Sequence, residues 1–420
     1  MNKTILILLS LLLAGTMQAQ QTSGGLTLKD AERRFLERNL SLIAERYNID
    51  MAQAQVLQAK LFDNPVISLE QNVYNRLNGK YFDFGRDGES AIEIEQVIHL
   101  AGQRNKQVRL EKINKEIAEY QFEEIIRTLR QELNEAFIDV YYLSRTLSIY
   151  NKEIESLEHL LRGMKQQQEK GNISLMEISR LESLLFSLKK EKNGQENDLL
   201  TRRGELNLLL NLPGDQPLTP VLDEEVLRQI DLSHLSFADL KSIILERPDL
   251  KVIRSNIKAS QANLKLQKSL AFPEFSVKGN YDRAGNFINN YFAVGVSLSV
   301  PVFNRNQGNI KSARLSIGQA GVQQEIAANR ADLELYTAYA ALEKAVNLYQ
   351  STNMDLERNF EKLIMGVNEN YSKRNISLLE FIDYYDSYKE TCVQLHEIKK
   401  NVFKSIDHLN TVVGANVFNY

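Results

Sequence analysis

Cysteine is almost absent. Among 420 residues only Cys392 occurs, so one chain can form neither a disulfide framework nor a thiolate metal cluster. Cys392 continues the apolar register of Tyr385, Leu395 and Ile398, which predicts a packed core thiol. Charge of one sign is lacking too: a formal net charge of -3 leaves no basic footprint for nucleic acid, and none is expected as a partner. The histidines His99, His159, His234, His396 and His408 are scattered, with no pair three or four residues apart, and HExxH, CxxC and Walker-type loops do not occur. No metal site, no cofactor and no enzymatic activity are therefore expected. Long hydrophobic runs are missing as well, since no segment reaches the roughly 20 apolar residues of a membrane helix. The run from Ile5 to Ala14 follows Met1-Asn2-Lys3 and precedes a small-residue site at Ala19, the three parts of a secretory signal over 1–19. The expectation is a chain exported from the cytoplasm and, with no cysteine beside the cut, without a lipid anchor.

What is present is a duplication. Asn172-Ile173-Ser174-Leu175 returns as Asn375-Ile376-Ser377-Leu378, each between two long helical patterns. Gly171 and Asn172 can take positive φ and stop a helix, and Ser174 can cap the next one with Glu177 as capping-box partner. Ser377 and Glu380 repeat that pair. Leu36-Glu37-Arg38 matches Leu245-Glu246-Arg247, and Asn64-Pro65-Val66-Ile67-Ser68-Leu69 resembles Phe272-Pro273-Glu274-Phe275-Ser276-Val277. The offset of roughly 200 residues is far beyond a solenoid unit, so the chain reads as one two-fold repeat: 20–211 and 236–420, joined by a linker at 212–235 that begins with Leu212-Pro213-Gly214-Asp215.

Each repeat has one layout. Helix is predicted over 28–62, then half-apolar strands at 66–74 and 91–98 around a Gly/Asp-rich loop. Helix resumes at Gln103 and runs about 65 residues, roughly 100 Å, with the 3,4 spacing of a coiled coil through Leu133, Val140, Leu147, Ile154 and Leu161. The return helix covers 175–210. The second half offers helix over 237–271, strands at 275–282 and 291–300, and helices over 307–373 and 377–412. Strands of about ten residues with outward aromatics such as Tyr74, Tyr281, Tyr291 and Phe292 fit an outer-membrane wall. A wall in lipid must close, and four strands cannot close alone, so the chain is expected to oligomerise; three copies would supply a twelve-stranded barrel. The fold class is thus all-α coiled coil mixed with transmembrane β structure.

The signal, the duplicated strand-and-hairpin halves and the paired tips resemble the TolC family of bacterial outer-membrane channels over nearly all of the mature chain. Phe303-Asn304-Arg305-Asn306-Gln307-Gly308 and Leu100-Ala101-Gly102-Gln103-Arg104 resemble its cobalt/zinc/cadmium efflux branch. Physically both mark strand-to-helix crossings, where Gly102 or Gly308 allows a tight turn. The resemblance implies a homotrimer whose barrel sits in outer-membrane lipid and continues as a helical tunnel through the periplasm. Its tips would meet a periplasmic adaptor and a resistance-nodulation-division pump of the inner membrane. The docking residues would be Gly171, Asn172, Ile173, Ser174, Leu175, Arg374, Asn375, Ile376, Ser377 and Leu378. The family's gate carries two acids three apart after the second tip, a spacing kept by Glu380 and Asp383, with Glu replacing Asp at the first; Arg180 is the expected counter-charge. As a plainer alternative Glu380 is the capping partner of Ser377 and Asp383 a solvated residue. Divalent heavy metals are the expected cargo, with organic toxins or secreted proteins as the alternative. A periplasmic coiled-coil scaffold would use the same heptads but needs no lipid-type strands.

Overall fold

A computed structural model describes residues 25–285, 288–354 and 356–418. The candidate export signal at 1–19 lies outside them. The chain starts with β1 (Leu26–Thr27) and α1 (Leu28–Arg38), capped by the Thr27 hydroxyl, which accepts from the Asp30 N–H. The helix expected over 28–62 breaks at Asn39, and α2 (Leu40–Gln58) follows. Asn39 Oδ1 accepts from the Leu42 N–H at 3.0 Å while Nδ2 donates to the Leu209 carbonyl at 2.9 Å, so one side chain caps a helix and fixes the break against a distant one. Next come β2 (Val66–Gln71), the small hairpin β3 (Tyr74–Asn75) and β4 (Lys80–Tyr81), and β5 (Ser90–Ile98). The first wall strand therefore ends at Gln71, three residues short of the expected limit, and Tyr74 stacks on Tyr81 in the loop above it, centroids 4.9 Å apart. α3 (Gln103–Glu169) is 67 residues long and α4 (Leu175–Leu209) returns beside it.

The segment expected as a linker is structural. It contains β6 (Pro220–Val221), paired in parallel with β1, and α5 (Glu225–Arg228), and it buries Leu222, Leu227 and Ile230. The second half opens with α6 (Phe237–Ile243), a 3-10 turn (Ile244–Glu246) and α7 (Pro248–Ser269), so both halves break at the end of their matched Leu-Glu-Arg, the first at Asn39 and the second at Arg247 itself. Here Pro248 at the first helical position supplies the restart, in place of an asparagine cap. β7 (Glu274–Gly285) and β8 (Ile288–Ser299) form the second strand pair. The helix expected over 307–373 is interrupted: α8 (Gln307–Ser351) ends where the Ser351 and Thr352 hydroxyls both donate to the Leu348 carbonyl, and α9 (Leu356–Ser372) follows. α10 (Leu378–Val413) completes the chain.

The long strands make one antiparallel sheet in the order β2-β5-β7-β8. Its register places Ile67 on Ile94, Leu69 on Ile92, Ile92 on Tyr281 and Tyr281 on Phe292, so one face is a continuous apolar surface. Val294 is 84% exposed there, which only a non-aqueous neighbour makes favourable. The opposite face carries Ser68, Glu93, Glu95, Asn280 and Ser297, with Lys278 bridging Glu93 and Glu95 at 3.4 and 3.1 Å. Tyr291 pairs with Asp282 on this polar face. It was expected outward beside Phe292, but neighbours along a strand point to opposite faces.

Helix packing carries the stability. The main core gathers Phe35, Leu133, Phe137, Leu206, Leu335, Phe403 and Leu409 from both halves around the middle of the hairpins. A second core near the tips contains Leu157, Leu161, Ile178, Leu181, Phe381 and Tyr385. Cys392 is fully buried next to Ile149 and Tyr388, the packed position its register implied.

Candidate functional site

The two tips are built alike. Gly171 takes φ +75; its N–H and that of Asn172 close the end of α3 on the Gln168 and Gln167 carbonyls at 2.8 and 2.9 Å. Arg374 takes the same role with φ +63, and Arg374 and Asn375 donate to the Tyr371 and Asn370 carbonyls at 2.9 and 2.8 Å. Each asparagine amide also bonds back to the preceding helix, Asn172 to Gln167 and Asn375 to Asn370. Both capping boxes are complete: Glu177 with Ser174, and Glu380 with Ser377 at 2.7 Å to the Ser377 N–H. Ile173 and Ile376 pack beside the tip core. The matched leucines diverge, since Leu175 is exposed and Leu378 is buried.

An arginine in the left-handed region costs about 1–2 kcal/mol that a glycine avoids. A compensating contact exists: Arg374 Nη2 donates to the Asn172 carbonyl at 2.6 Å and ties the second tip to the first. Farther up, Tyr385 donates to Asn368 Oδ1 at 2.7 Å, and Ser156 shares bonds with both, linking α3, α9 and α10. A groove of about 1400 Å³ runs between the hairpins at this end, lined by His159, Met164, Glu177, Tyr371, Arg374 and Ile376 among others. Burial pushes the Tyr371 hydroxyl up to about 12, so it remains a donor throughout the physiological range.

Glu380 and Asp383 are both exposed on the first turns of α10. The backbone N–H and then the hydroxyl of Ser377 hold the Glu380 carboxyl below the usual range, so it is ionised and engaged in its cap. Among the described residues neither acid has an ion-pair partner, and Arg180 stands exposed without reaching either. Glu153 is a titratable group that the sequence did not single out. It is 3% exposed on α3, burial pushes its carboxyl up to about 8, and among the described residues Oε1 has no hydrogen-bond partner. Nothing in its helical repeat marks it.

At the crossings the left-handed residues are Ala101 (φ +54) and Gly102 (φ +66) in the first half and Asn306 (φ +55) in the second, with Gly102 and Asn306 at the caps of their helices. Gly308 was expected as the turn residue, but it lies inside α8; Asn306 turns the chain because its short amide also finds partners. Asn306 Nδ2 donates to the Gln267 carbonyl at 2.8 Å, its N–H to Asn304 Oδ1 at 3.0 Å, and the Arg305 N–H donates to Gln307 Oε1 at 2.8 Å. In the first half Gln103 Nε2 donates to the Ser269 carbonyl at 2.9 Å. Both crossings thus reach carbonyls at the end of α7, that of Gln267 and that of Ser269, which also accepts from the Phe272 N–H at 3.1 Å.

A sheet with one lipid-type face, joined through capped crossings to helical hairpins with paired tips, defines an outer-membrane channel architecture. The chain belongs to the Outer membrane efflux protein family, whose model matches residues 33–212 and 240–362. Its location is accordingly the outer membrane, with the hairpins reaching into the periplasm. Among curated proteins it is 20% identical over 315 residues to the cobalt-zinc-cadmium resistance protein CzcC of Cupriavidus metallidurans, covering 75% of this chain and 72% of that one. It is 21% identical to the pyoverdine export outer membrane protein OpmQ of Pseudomonas aeruginosa over 55% of this chain and 48% of that one. The crystal structure of CusC superposes with a TM-score of 0.75 and 17% identity, covering 92% of each chain. In sequence CusC of Escherichia coli, a cation efflux system protein, is 22% identical, and this chain spans 53% of it.

Proposed function

We propose that three copies of this chain close a twelve-stranded barrel and form the exit duct of a tripartite efflux assembly, carrying divalent heavy-metal cations outward from an inner-membrane pump through a periplasmic adaptor. The observation that carries the duct is the pair of open sheet edges: β2 and β8 each leave one side unpaired beside an exposed apolar face, which lipid tolerates only in a closed wall. The cation reading draws support from the similarity to CzcC and CusC. Glu380 and Asp383 add to it, because three-fold symmetry converts two exposed acids near the end of the tube into a negative ring. The tips at 171–175 and 374–378 dock the adaptor end on, with the tie from Arg374 to Asn172 holding the two hairpins in one orientation. Similarity to OpmQ favours a second reading with an organic cargo. Growth of a deletion strain on zinc, cobalt, cadmium and copper, beside a panel of organic toxins, separates the two. Sensitivity to metals alone is the expected result; sensitivity to organic compounds alone would transfer the assignment. Replacing Glu380 and Asp383 by Ala should reduce cation selectivity and block by multivalent cations in single-channel recordings, and an unchanged channel would remove the gate.

A further inference from the structure

We propose that Glu153, Glu191, Asp386 and Lys389 form a proton-held latch between the two hairpins, closed while Glu153 is protonated and released when it ionises. The latch is a property of one chain; its consequence for transport rests on the duct reading above. The four residues come from three helices, Glu153 from α3, Glu191 from α4, and Asp386 and Lys389 from α10. They lie within the tip half of the hairpins: Tyr150 and Leu157, one turn to either side of Glu153, belong to the tip core together with Leu188 and Tyr385. Three carboxylates thus meet one ammonium. Lys389 Nζ is 3.0 Å from Glu191 Oε2 and 3.8 Å from Asp386 Oδ1, so its contacts go to the two acids that keep 39 and 46% of their side-chain surface in solvent. The Tyr150 hydroxyl also donates to Glu191, at 3.2 Å. Glu153 is the deeply buried member, and it is the one whose Oε1 accepts nothing among the described residues.

Burial without a hydrogen bond favours the neutral acid. Lys389 pulls Glu153 toward ionisation, and Asp386 and Glu191 push against it. Asp386 is itself raised by burial, against the pull of Lys389, with Glu390, Glu191 and Asp383 adding repulsion. Of the α4 lysines beside Glu191, Lys189 pairs with Glu158 at 2.6 Å, Lys192 pairs with Glu196 at 3.3 Å and Lys190 is exposed. On α3 itself Lys152 lines the groove at the tips. From α9 the described residues at this level, Ile364 and Asn368, carry no charge. As pH rises the Glu153 proton passes to solvent, and the new carboxylate is left buried beside two others. Movement of α10 away from α3 and α4 hydrates it and relieves the repulsion. The open state has the ordinary carboxylate range, so opening grows from about 4.5 to about 8 and levels off above. Because α10 starts at the second tip and carries Glu380 and Asp383, release loosens the end of the duct.

Cys392, the sole cysteine, lies one turn beyond Lys389, fully buried beside Ile149 and Tyr388, and reports that movement without background. The full chain, reconstituted in vesicles, is treated with a neutral maleimide at about pH 6 and about pH 8, and each rate is divided by that of Glu153→Gln at the same pH, which cancels the titration of the thiol. The ratio should rise about tenfold over that interval; a constant ratio would overturn the latch. Glu191→Gln removes one like charge and should move the levelling-off to lower pH, and an unmoved profile would take Glu191 out of the latch. Cys392→Ala combined with Leu409→Cys puts the thiol in the main core of the same helix, where it should react at least about tenfold more slowly. Equal rates at the two positions would mean that the chain opens as a whole, and would also overturn the proposal. In single-channel recordings the parent should open about tenfold more often than Glu153→Gln at the higher pH and equally often at the lower. If the thiol ratio rises while the recordings coincide, the link to transport falls and the latch stands. If no channel forms, the duct reading falls and the thiol ratio alone decides the latch.

Discussion

Arg38 and Arg247 close matching tripeptides in the two halves, yet Arg38 is exposed to solvent and Arg247 is 3% exposed. Arg247 holds Asp249 through two bonds at 2.7 and 2.8 Å, Glu334 at 2.9 Å and the Val412 carbonyl at 3.0 Å. It thereby anchors the end of α10 to the start of α7, where Gly414 (φ +78) leaves room for its side chain. The duplication preserved the local sequence and reassigned the work. Equal sequence in two halves does not imply equal energy.

The strongest test of that asymmetry removes each arginine in turn. Arg247→Ala removes the ion pair of Asp249 and one of the two of Glu334, which keeps Arg330 at 2.9 Å, and leaves the Val412 carbonyl without this donor; it should cost about 1.5–3 kcal/mol, as losing hydrogen bonds to charged groups does. Arg38→Ala should stay within about 0.5 kcal/mol. Thermal unfolding of the purified protein, followed by circular dichroism, reads both, and coincident midpoints would refute the contrast.

Two hairpin carboxylates provide the next test, because their environments move them in opposite directions. Glu153 titrates near 8 when folded, so the folded state keeps a proton that the unfolded chain loses near its ordinary value of 4.5. Stability should therefore decline as pH rises from about 4.5 to 8, and Glu153→Gln should abolish that slope and gain roughly 1–3 kcal/mol at neutral pH. Glu380 lies below its ordinary range, so its cap is intact above that range and is lost only as pH falls through its folded value. Unfolding midpoints across pH decide this; a slope that survives in Glu153→Gln would refute the assignment.

The tips should respond more weakly. Gly171→Ala places a Cβ at φ +75 and should cost about 1–2 kcal/mol. Arg374→Ala loses the bond to Asn172 and keeps the strain, whereas Arg374→Gly loses the bond and relaxes it, so the glycine variant should be the more stable by about 1 kcal/mol. Hydrogen exchange of the tip amides measures the difference, and identical protection in the two variants would show that Arg374 is not strained. The smallest effect belongs to the crossings. Asn306→Gly keeps the turn but forfeits the bonds to Gln267, worth about 0.5–1.5 kcal/mol, while Gly102→Asn should change stability by only a few tenths. Limited proteolysis at the two crossings ranks them, and the reverse order would mean that backbone freedom outweighs the amide contacts.

Much of this architecture is legible locally. Alternation of Phe292, Val294, Val296 and Leu298 with small residues marks a strand with one lipid face, and Ser174-x-x-Glu177 and Ser377-x-x-Glu380 mark helix starts whose caps the structure completes. These signals travel because period and capping depend on neighbours within a turn or two. Asn39 and Thr352 escaped that reading: both sit inside long helical patterns, the first break rests on a contact with Leu209 that periodicity does not register, and the hydroxyl bond of Thr352 to Leu348, one turn back, is one that Thr337 makes to Leu333 without breaking the helix. Glu153 escaped for the same reason, since its burial is created by α4 and α10.

The sequence by itself determined the two-fold repeat, the two tips, the strand pairs and the family, because each is written as a short pattern repeated at a fixed offset. Tertiary structure alone decided which copy of a repeated residue became structural. Arg247 is buried while Arg38 is not, Leu378 is buried while Leu175 is not, and Arg374 accepts a glycine's backbone because the Asn172 carbonyl lies within reach. The physical reason is that a side chain takes much of its energy from partners far along the chain, Glu334 and the Val412 carbonyl for Arg247 and the Asn172 carbonyl for Arg374, and such contacts leave no local pattern.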